Sequence, residues 1–526
     1  MRIGIDVGGT NTDAVLVDGS VVLGETKAAT TADVSGGIVS ALEGLQRACP
    51  FDPGSVRAVM IGTTHFVNAI VEASRLAPTA AVRLGLPATA ALPPLVGWPS
   101  RLVEAIKGTA YLCHGGHEFD GRLISPLDRG ELLRAAGDMT RLGIRSVAIS
   151  SVFSPVNDEL EQEVAALFQE QMPGVHVSMS HEIGRMGLLE RENATIINAA
   201  LRELAEQVCT GLAGTLRGLG LEAPLYLSQN DGTLMDADHA REYPVATFAS
   251  GPANSMRGAA FLSGLDTCAV VDVGGTTTDV GILQSGFPRE ATSEVRIGGV
   301  RTNFRMPDVL SVGIGGGSRI RPDEGADGVQ VTVGPDSVGY RLRTEALVFG
   351  GSTLTATDLA VASGQAGVGD PALVADLDRA TVYAGLGRIA ADVAAVVDRM
   401  RTSPAPLPVV LVGGGTILLP DELDGVSKVF RPKHFAVANA IGAAIAQVGG
   451  EVDRIFAVSP GHRDQVLDEA RQEATDRAIA AGAMPGSVAI VDVEEIPIAY
   501  LPGNATRIRV RAVGDLSTDG GSRDGL

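Results

Sequence analysis

Residues 6–13 read DVGGTNTD, and residues 272–279 read DVGGTTTD, 266 positions later. Each copy ends a short apolar run and leads into a second β-rich run, AVLVDG after the first and VGILQSG after the second. That is the pattern of two strands joined by a tight Gly-Gly turn. One such turn is an ordinary hairpin; two in matching contexts imply a duplicated α/β unit.

The composition of the turn points to its chemistry. Glycines lack a Cβ and let backbone N–H groups close around an anion, threonine hydroxyls add donors, and a carboxylate at a strand end can hold Mg²⁺ or orient a water. Gly8, Gly9, Thr10, Asn11 and Thr12 are therefore assigned to the phosphates of a bound polyphosphate, together with Gly274, Gly275, Thr276, Thr277 and Thr278. Asp6 and Asp272 are assigned to Mg²⁺ and its waters. Asp13 and Asp279 read either as further cleft groups or as caps of their own turns. A third glycine turn, Gly413-Gly414-Gly415, follows the apolar run PVVLV and suits close approach to a nucleobase or ribose. No G-x-x-x-x-G-K-[ST] is present, and the G-x-G-x-x-A at 385–390 lies in a helical pattern without a strand before it.

Bulk properties set the outer limits. The 526 residues, 45% of them apolar, support large cores, and 66 glycines call for many tight turns. A formal charge of −20 argues against nucleic-acid binding, which needs clustered Lys and Arg. Four scattered cysteines without a C-x-x-C pair indicate reduced thiols rather than a zinc knuckle or a disulfide framework. With no apolar stretch of about 18 residues and no signal-like opening, the expectation is a cytoplasmic protein with no membrane span.

The order of two phosphate turns and then an adenosine turn is similar to the actin, sugar-kinase and Hsp70 superfamily. That likeness implies two ribonuclease-H-like lobes around a nucleotide cleft that holds ATP, with two helices crossing at the hinge. The helical stretches 190–209 and 435–448 are the candidates. More specifically, the chain resembles a hydantoinase A-type subunit of the hydantoinase/oxoprolinase family, in a short form. The motifs are GIDVGGTNTDAVLVD, GTTHFVNAIVE, SHEIGRMGLLERENATIINAAL, NDGTLM, PVATFASGPANSMRGA, VDVGGTTTDVG, VGIGGGSRI and the closing GGGT…ANAIGAA, in that order. The resemblance implies ATP-dependent ring opening of a cyclic amide such as a hydantoin or 5-oxoproline, within an oligomer that includes a hydantoinase B-type or other partner chain. In relatives it implies ATP-dependent carboxylation of ketones. A nucleotide-dependent assembly module without small-molecule chemistry is the rival from another class.

An unactivated amide resists water, so ATP would serve to phosphorylate its carbonyl oxygen. Substrate contacts are expected from Asn230, Asp231, Ser250, Gly251 and Asn254 and from the glycine turn with Gly316, Gly317 and Ser318, all in loops after apolar runs. Glu190 and Arg191 open the first hinge candidate, where they serve either catalysis or the helix dipole. His114 and His117 have H-x-x-H spacing, but the glycines between them read as a mobile loop; Trp98 is expected to pack a surface loop. The expected divisions are a first lobe at 1–180 and a second at 181–450 with a β-rich insertion at 329–348. A small C-terminal α+β appendage at 451–515 and a disordered tail at 516–526 follow.

Overall fold

The structure is a computed structural model that describes residues 1–8, 11–29, 34–291, 295–325, 328–459, 461–499 and 504–517. The first hairpin is β1 (Arg2–Val7) and β2 (Asn11–Asp18), extended by antiparallel β3 (Val21–Ala29). Helix α1 (Val34–Ala48) then returns the chain to β4 (Ala58–Thr63), parallel to β1, and α2 (His65–Glu72) follows. Strand β1 is buried over five consecutive residues rather than on alternate ones, because both its faces are covered.

The chain next leaves the first sheet. Strands β5 (Thr79–Leu86), β6 (Thr109–His114), β7 (Ser146–Ser151) and β8 (His176–Met179) form a separate four-stranded parallel sheet in the order β6-β5-β7-β8. Helices α3 (Ser100–Ala105), α4 (Arg129–Arg141) and α5 (Glu159–Gln171) connect them. After the short α6 (Ser180–Ile183), the 31-residue α7 (Leu188–Gly218) spans this subdomain and the first core. Its seam is polar and fully buried: Arg83 pairs with Glu192, and Ser150 donates to the same carboxylate at 2.7 Å. Trp98 belongs to this core and donates its indole N–H to Asn193 at 2.7 Å, so it does more than pack a surface loop.

Strands β9 (Leu225–Ser228) and β10 (Thr233–Asp236) rejoin the first sheet, and α8 (Ala237–Glu242) and α9 (Ser250–Ser263) lead to the second lobe. There β11 (Cys268–Val273) and β12 (Thr278–Gln284) repeat the opening hairpin, followed by β13 (Phe287–Pro288), the β14/β15 hairpin (Val295–Ile297, Val300–Thr302) and β16 (Val309–Val312). The expected insertion appears as a hairpin of β17 (Ser318–Gly325) and β18 (Gly328–Ser337); the strands end at Ser337, and α10 (Leu342–Glu345) lies beyond. Helix α11 (Ala356–Ala362), helix α12 (Arg379–Met400), β19 (Pro408–Val412) and β20 (Lys428–Phe430) complete the lobe. Helix α12 is long and apolar enough to cross a membrane, yet Val382, Leu386, Ile389, Val393 and Val397 bury into the second core. The Gly385 of the G-x-G-x-x-A match sits where a Cβ would come 2.4 Å from Leu359, which is a packing role.

The duplication is visible strand by strand. The order β3-β2-β1-β4-β9 in the first lobe answers to β13-β12-β11-β19-β20 in the second, with the same antiparallel hairpin and the same parallel third partner. In register too the copies agree: Asp6 faces Asp13, and Asp272 faces Asp279.

Sheet membership cuts across the divisions expected from the sequence. The last strands, β21 (Gln447–Ala457), β22 (Ala489–Pro497) and β23 (Ala505–Gly514), with α14 (Arg463–Ala480), continue the first sheet to nine strands. The C-terminal α+β segment is thus fused edge to edge with the lobe that opens the chain. Leu516 is buried and bridges to Ala483; residues 518–526 of the expected tail lie outside the described residues.

The hinge needs one correction. Two helices do cross between the lobes, but they are α9 and α13 (Ala438–Ile445), and not the 190–209 stretch inside α7. A Cβ on Gly258 would lie 2.0 Å from the Ala438 carbonyl oxygen, and one on Gly442 would lie 1.9 Å from that of Asn254. Backbone touches backbone at both points, which only glycine allows. Helix α13 also lies directly on β1, where a Cβ on Gly4 would meet the Ala440 carbonyl at 2.1 Å.

Candidate functional site

Both hairpin turns close the same way: Gly8 N–H donates to the Asn11 carbonyl at 3.0 Å, and Gly274 N–H to the Thr277 carbonyl at 2.9 Å. Gly9 and Thr10 lie outside the described residues. Thr12 and Thr278 are fully buried, and the Thr278 hydroxyl donates to the Ile314 carbonyl at 2.7 Å. It is therefore used inside the second lobe, whereas Thr276 and Thr277 are exposed at the tip of their turn.

The crossing helices bring the two turns together. The Asn439 side-chain amide, on α13, donates to Asp6 Oδ2 at 3.4 Å and also hydrogen-bonds Asp272. Ser255, on α9, contacts Asp272 Oδ2 and lies 2.6 Å from Asn439 Oδ1. One chain of side chains thus links the carboxylates of both lobes. Neither Ser255 nor Asn439 stood out in the sequence, since both sit in helices among small residues.

Burial dominates the electrostatics. Asp6 is pushed up to about 7 by desolvation and then by Asp13 and Asp272, with Asn439 and Lys27 opposing. Asp272 is also raised, chiefly by burial, against its bonds from Ser255 and Asn439. Asp279 is pushed up to about 6 by burial and by Asp272, while the Ser311 hydroxyl bonded to it opposes. Asp13 is raised by burial despite an ion pair with Lys27 at 2.7 Å. The pairing with Lys27 and Ser311 gives Asp13 and Asp279 side-chain partners of their own beside the central pair. Carboxylates whose charged form is disfavoured by burial and by one another are a set that a bound cation would stabilise. Among the described residues no three His, Cys, Asp or Glu converge closely enough to enclose an ion alone. The donor set therefore fits a hydrated Mg²⁺ shared with a phosphate better than a caged transition metal. His114 pairs with Glu131 at 3.2 Å, and His117 is buried.

Glycines keep this space clear. On the first lobe a Cβ at Gly62 would come 2.6 Å from Asp6 Oδ1; on the second, one at Gly413 would come 2.3 Å from Asp272 Oδ1. Gly415 leans on the Gly274 carbonyl, where a Cβ would lie 2.7 Å away, while Gly414 faces open space. The triple-glycine turn is accordingly packed against the second hairpin turn.

The expected substrate residues fall into three places. Ser250, Gly251 and Asn254 belong to the first turns of α9, beside β4: Ser250 Oγ donates to the Thr63 carbonyl at 3.5 Å. Asn254 is fully buried, and both polar atoms of its side chain lack a partner; its Nδ2 would lie 2.5 Å from a Cβ on Gly62. Gly316 and Gly317 instead buttress the second hairpin turn, donating N–H to the carbonyls of Gly274 at 3.0 Å and Gly275 at 2.7 Å. Ser318 Oγ accepts from Gly315 N–H at 2.8 Å within the same support. Asn230 and Asp231 are held elsewhere, by the Arg305 carbonyl at 2.6 Å and by Arg511 at 3.0 Å. They belong to an arginine-carboxylate network that joins the last strands to the second lobe, beside a cavity of about 1230 Å³ lined by Arg185, Arg289, Glu290 and Arg509. Neither Asp6 nor Asp272 lines that cavity.

Glu190 and Arg191 also have structural partners. Arg191 is 1% exposed and spends its guanidinium on Ser180 Oγ at 2.9 Å, the Arg185 carbonyl at 3.2 Å and the Ser151 carbonyl at 2.7 Å. Glu190 pairs with Arg301 at 3.0 Å. The Arg191 bonds clamp the start of α7 to the inserted subdomain and the Glu190 pair ties it to β15; neither side chain is bonded to the Asp6–Asp272 pair.

Twin hairpins, matching parallel strands and crossed glycine-tight helices define a two-lobed protein of the actin-like ATPase fold class. Residues 2–172 match the hydantoinase/oxoprolinase N-terminal region, and residues 191–370 match hydantoinase/oxoprolinase. The chain belongs to the hydantoinase/oxoprolinase family. It is 27% identical to the caprolactamase subunit alpha of Pseudomonas jessenii over 486 residues, 84% of this chain and 65% of that protein. Against the acetone carboxylase beta subunit of Xanthobacter autotrophicus it is 26% identical over 395 residues, 68% of this chain and 53% of that protein. The aligned part thus spans less than two thirds of these relatives. Among solved structures, the ATP-dependent caprolactamase from Pseudomonas jessenii superposes with a TM-score of 0.79 at 19% identity, covering 98% of this chain and 88% of that one. A nucleotide-free acetone carboxylase superposes at 0.65 and 18% identity with the same coverage, 98% and 88%. Both share the fold.

Proposed function

We propose that this chain binds Mg·ATP between its lobes and uses it to phosphorylate the carbonyl oxygen of a cyclic amide, which water then opens, in a complex with a partner subunit. One observation carries the reading: Asp6 and Asp272, from twin turns 266 residues apart, meet on a single bridge of Ser255 and Asn439. Phosphoryl transfer asks for positioning and charge neutralisation rather than covalent help from the protein. In this reading Asp6 and Asp272 hold the hydrated Mg²⁺, the backbone of the two hairpin turns faces the phosphates, and Gly414 lies open towards the adenosine. The amide oxygen attacks the γ-phosphorus as the bond to the β-phosphate breaks; one water adds to the activated carbon, the ring nitrogen departs with a proton to leave an acyl phosphate, and a second water cleaves that to carboxylate and free phosphate. Asn254 supplies a buried amide beside Asp6 that a bound carbonyl or water would satisfy.

The caprolactamase and 5-oxoprolinase relatives support the cyclic amide as substrate, and relatives named as subunits support the partner. Four unpaired cysteines suit the proposed cytoplasmic location. The test is ADP release by the chain with its partner, Mg²⁺, ATP and a panel of lactams, hydantoins and 5-oxoproline. Turnover stimulated by one ring class supports the reading; bound ATP with no stimulation by any ring refutes it. The acetone and acetophenone carboxylase relatives favour a second reading, ATP-dependent carboxylation of a ketone, which strict dependence on bicarbonate would reveal.

A further inference from the structure

We propose that Ser255 and Asn439 are a positioning pair that couples the ion held by the two carboxylates to the angle between the lobes. This rests on the nucleotide reading above but not on the identity of the organic substrate. Ser255 is 1% exposed on α9, which lies against the second lobe, and Asn439 stands on α13, which covers β1 and β2 of the first. Their 2.6 Å contact therefore spans the hinge, at a crossing where Gly258 and Gly442 leave no room for sliding.

The bridge is short of one hydrogen. The single Ser255 hydroxyl proton faces two acceptors, Asp272 Oδ2 and Asn439 Oδ1, and can serve only one of them at a time. While Asp272 carries uncompensated charge, the proton belongs there, since hydrogen bonds to charged groups are the stronger. A cation that takes up the charge of Asp272 releases the hydroxyl to Asn439. The bond across the hinge then strengthens as the ion binds, and weakens as it leaves. Asn439 donates to Asp6 as well, so this one side chain meets the carboxylates of both lobes.

The test measures ADP affinity with and without Mg²⁺, and hydrogen exchange of α9 and α13, for Ser255→Ala, Ser255→Thr, Asn439→Ala and the Ala/Ala double variant. All must melt near the wild type; Ser255→Thr keeps a hydroxyl if Ser255→Ala misfolds. Each alanine variant should lose roughly 10- to 100-fold in Mg·ADP affinity, the scale of a bond to a charged group. The double variant should lose no more than the worse single one, because the pair acts as a unit. Ser255→Thr should stay within about threefold, a small fraction of that bond. Without Mg²⁺ all should bind ADP alike, and only the wild type and Ser255→Thr should gain protection in both helices when Mg²⁺ is added. Additive losses, equal losses without Mg²⁺, or wild-type behaviour of the alanine variants would overturn the proposal. If the wild type binds Mg·ADP with these signatures but no ring stimulates it, the substrate reading fails and the coupling stands. If it binds no ADP, both fail.

Discussion

Asp6→Asn separates what the site costs from what it does. In the nucleotide-free protein with chelator present, Asp6 is pushed from an ordinary 3.8 to about 7. The folded state therefore holds the proton more tightly than the unfolded chain, and this contribution to stability is lost as pH rises from about 4 to about 7. At about 1.36 kcal/mol per unit, Asp6 costs the fold about 4 kcal/mol at pH 8, where it is ionised in the folded state, and about 1.5 kcal/mol at pH 5, where folding must protonate it. Asparagine cannot ionise and removes both penalties. At about 2.1 cal/mol/K of unfolding entropy per residue, a chain of 526 residues shifts by about 1 °C per kcal/mol, so the gain in Tm at pH 8 should exceed that at pH 5 by about 2 to 3 °C. Differential scanning calorimetry at the two pH values is the assay, alongside Mg·ATP turnover, which the same variant should abolish. Equal shifts at both pH values, or destabilisation at both, would refute the electrostatic account, and retained turnover would refute the role given to the carboxylate.

Three further outcomes are expected. Gly442→Ala should unfold the protein or leave it insoluble on expression, because its methyl group meets the Asn254 carbonyl at 1.9 Å, whereas Gly251→Ala, with open space around it, should melt as the wild type does. Glu192→Ala strands the fully buried Arg83 without its carboxylate and should cost about 3–5 kcal/mol in denaturant unfolding, whereas an Arg83→Met/Glu192→Met double variant should recover most of that loss. Arg191→Met should reduce stability through the lost Ser151, Ser180 and Arg185 bonds, yet in the folded fraction leave the affinity for Mg·ADP unchanged within about twofold, since it touches neither carboxylate.

Local chemistry made much of the fold legible. A hairpin needs only its own few residues to declare itself, so the copies at 6–13 and 272–279 disclosed the duplicated unit and placed Asp6 and Asp272 at matching strand ends. The hinge was harder because α9 is written in small polar residues, SGPANSMRGA, that look like loop material. Its signal was a spacing of four between contact positions, Asn254 to Gly258 on one helix and Ala438 to Gly442 on the other, which marks close approach only once the partner helix is known. Ser255 and Asn439 were invisible for the same reason: each gains meaning from a residue on another helix. The nine-stranded sheet lay beyond reach because β10 pairs with β21 and β21 with β23, contacts set by neighbours far off in the chain. Glu190 and Arg191, attractive as a charged pair at a helix start, have structural partners instead: Arg191 in the seam with the inserted subdomain, and Glu190 on Arg301 of β15.

The nine-stranded sheet also dictates an order of assembly. Everything the second lobe's central sheet requires lies between Cys268 and Phe430, so a growing chain can finish that half as soon as it emerges. The lobe begun at Arg2 must wait: β1 stays bare on one side until Ala440 arrives to cover Gly4, and β10 lacks its outer neighbour until Gln447. Synthesis therefore completes the later half first, and the earliest strands spend longest as an exposed template, the stage at which a chaperone or a companion polypeptide would have most to protect.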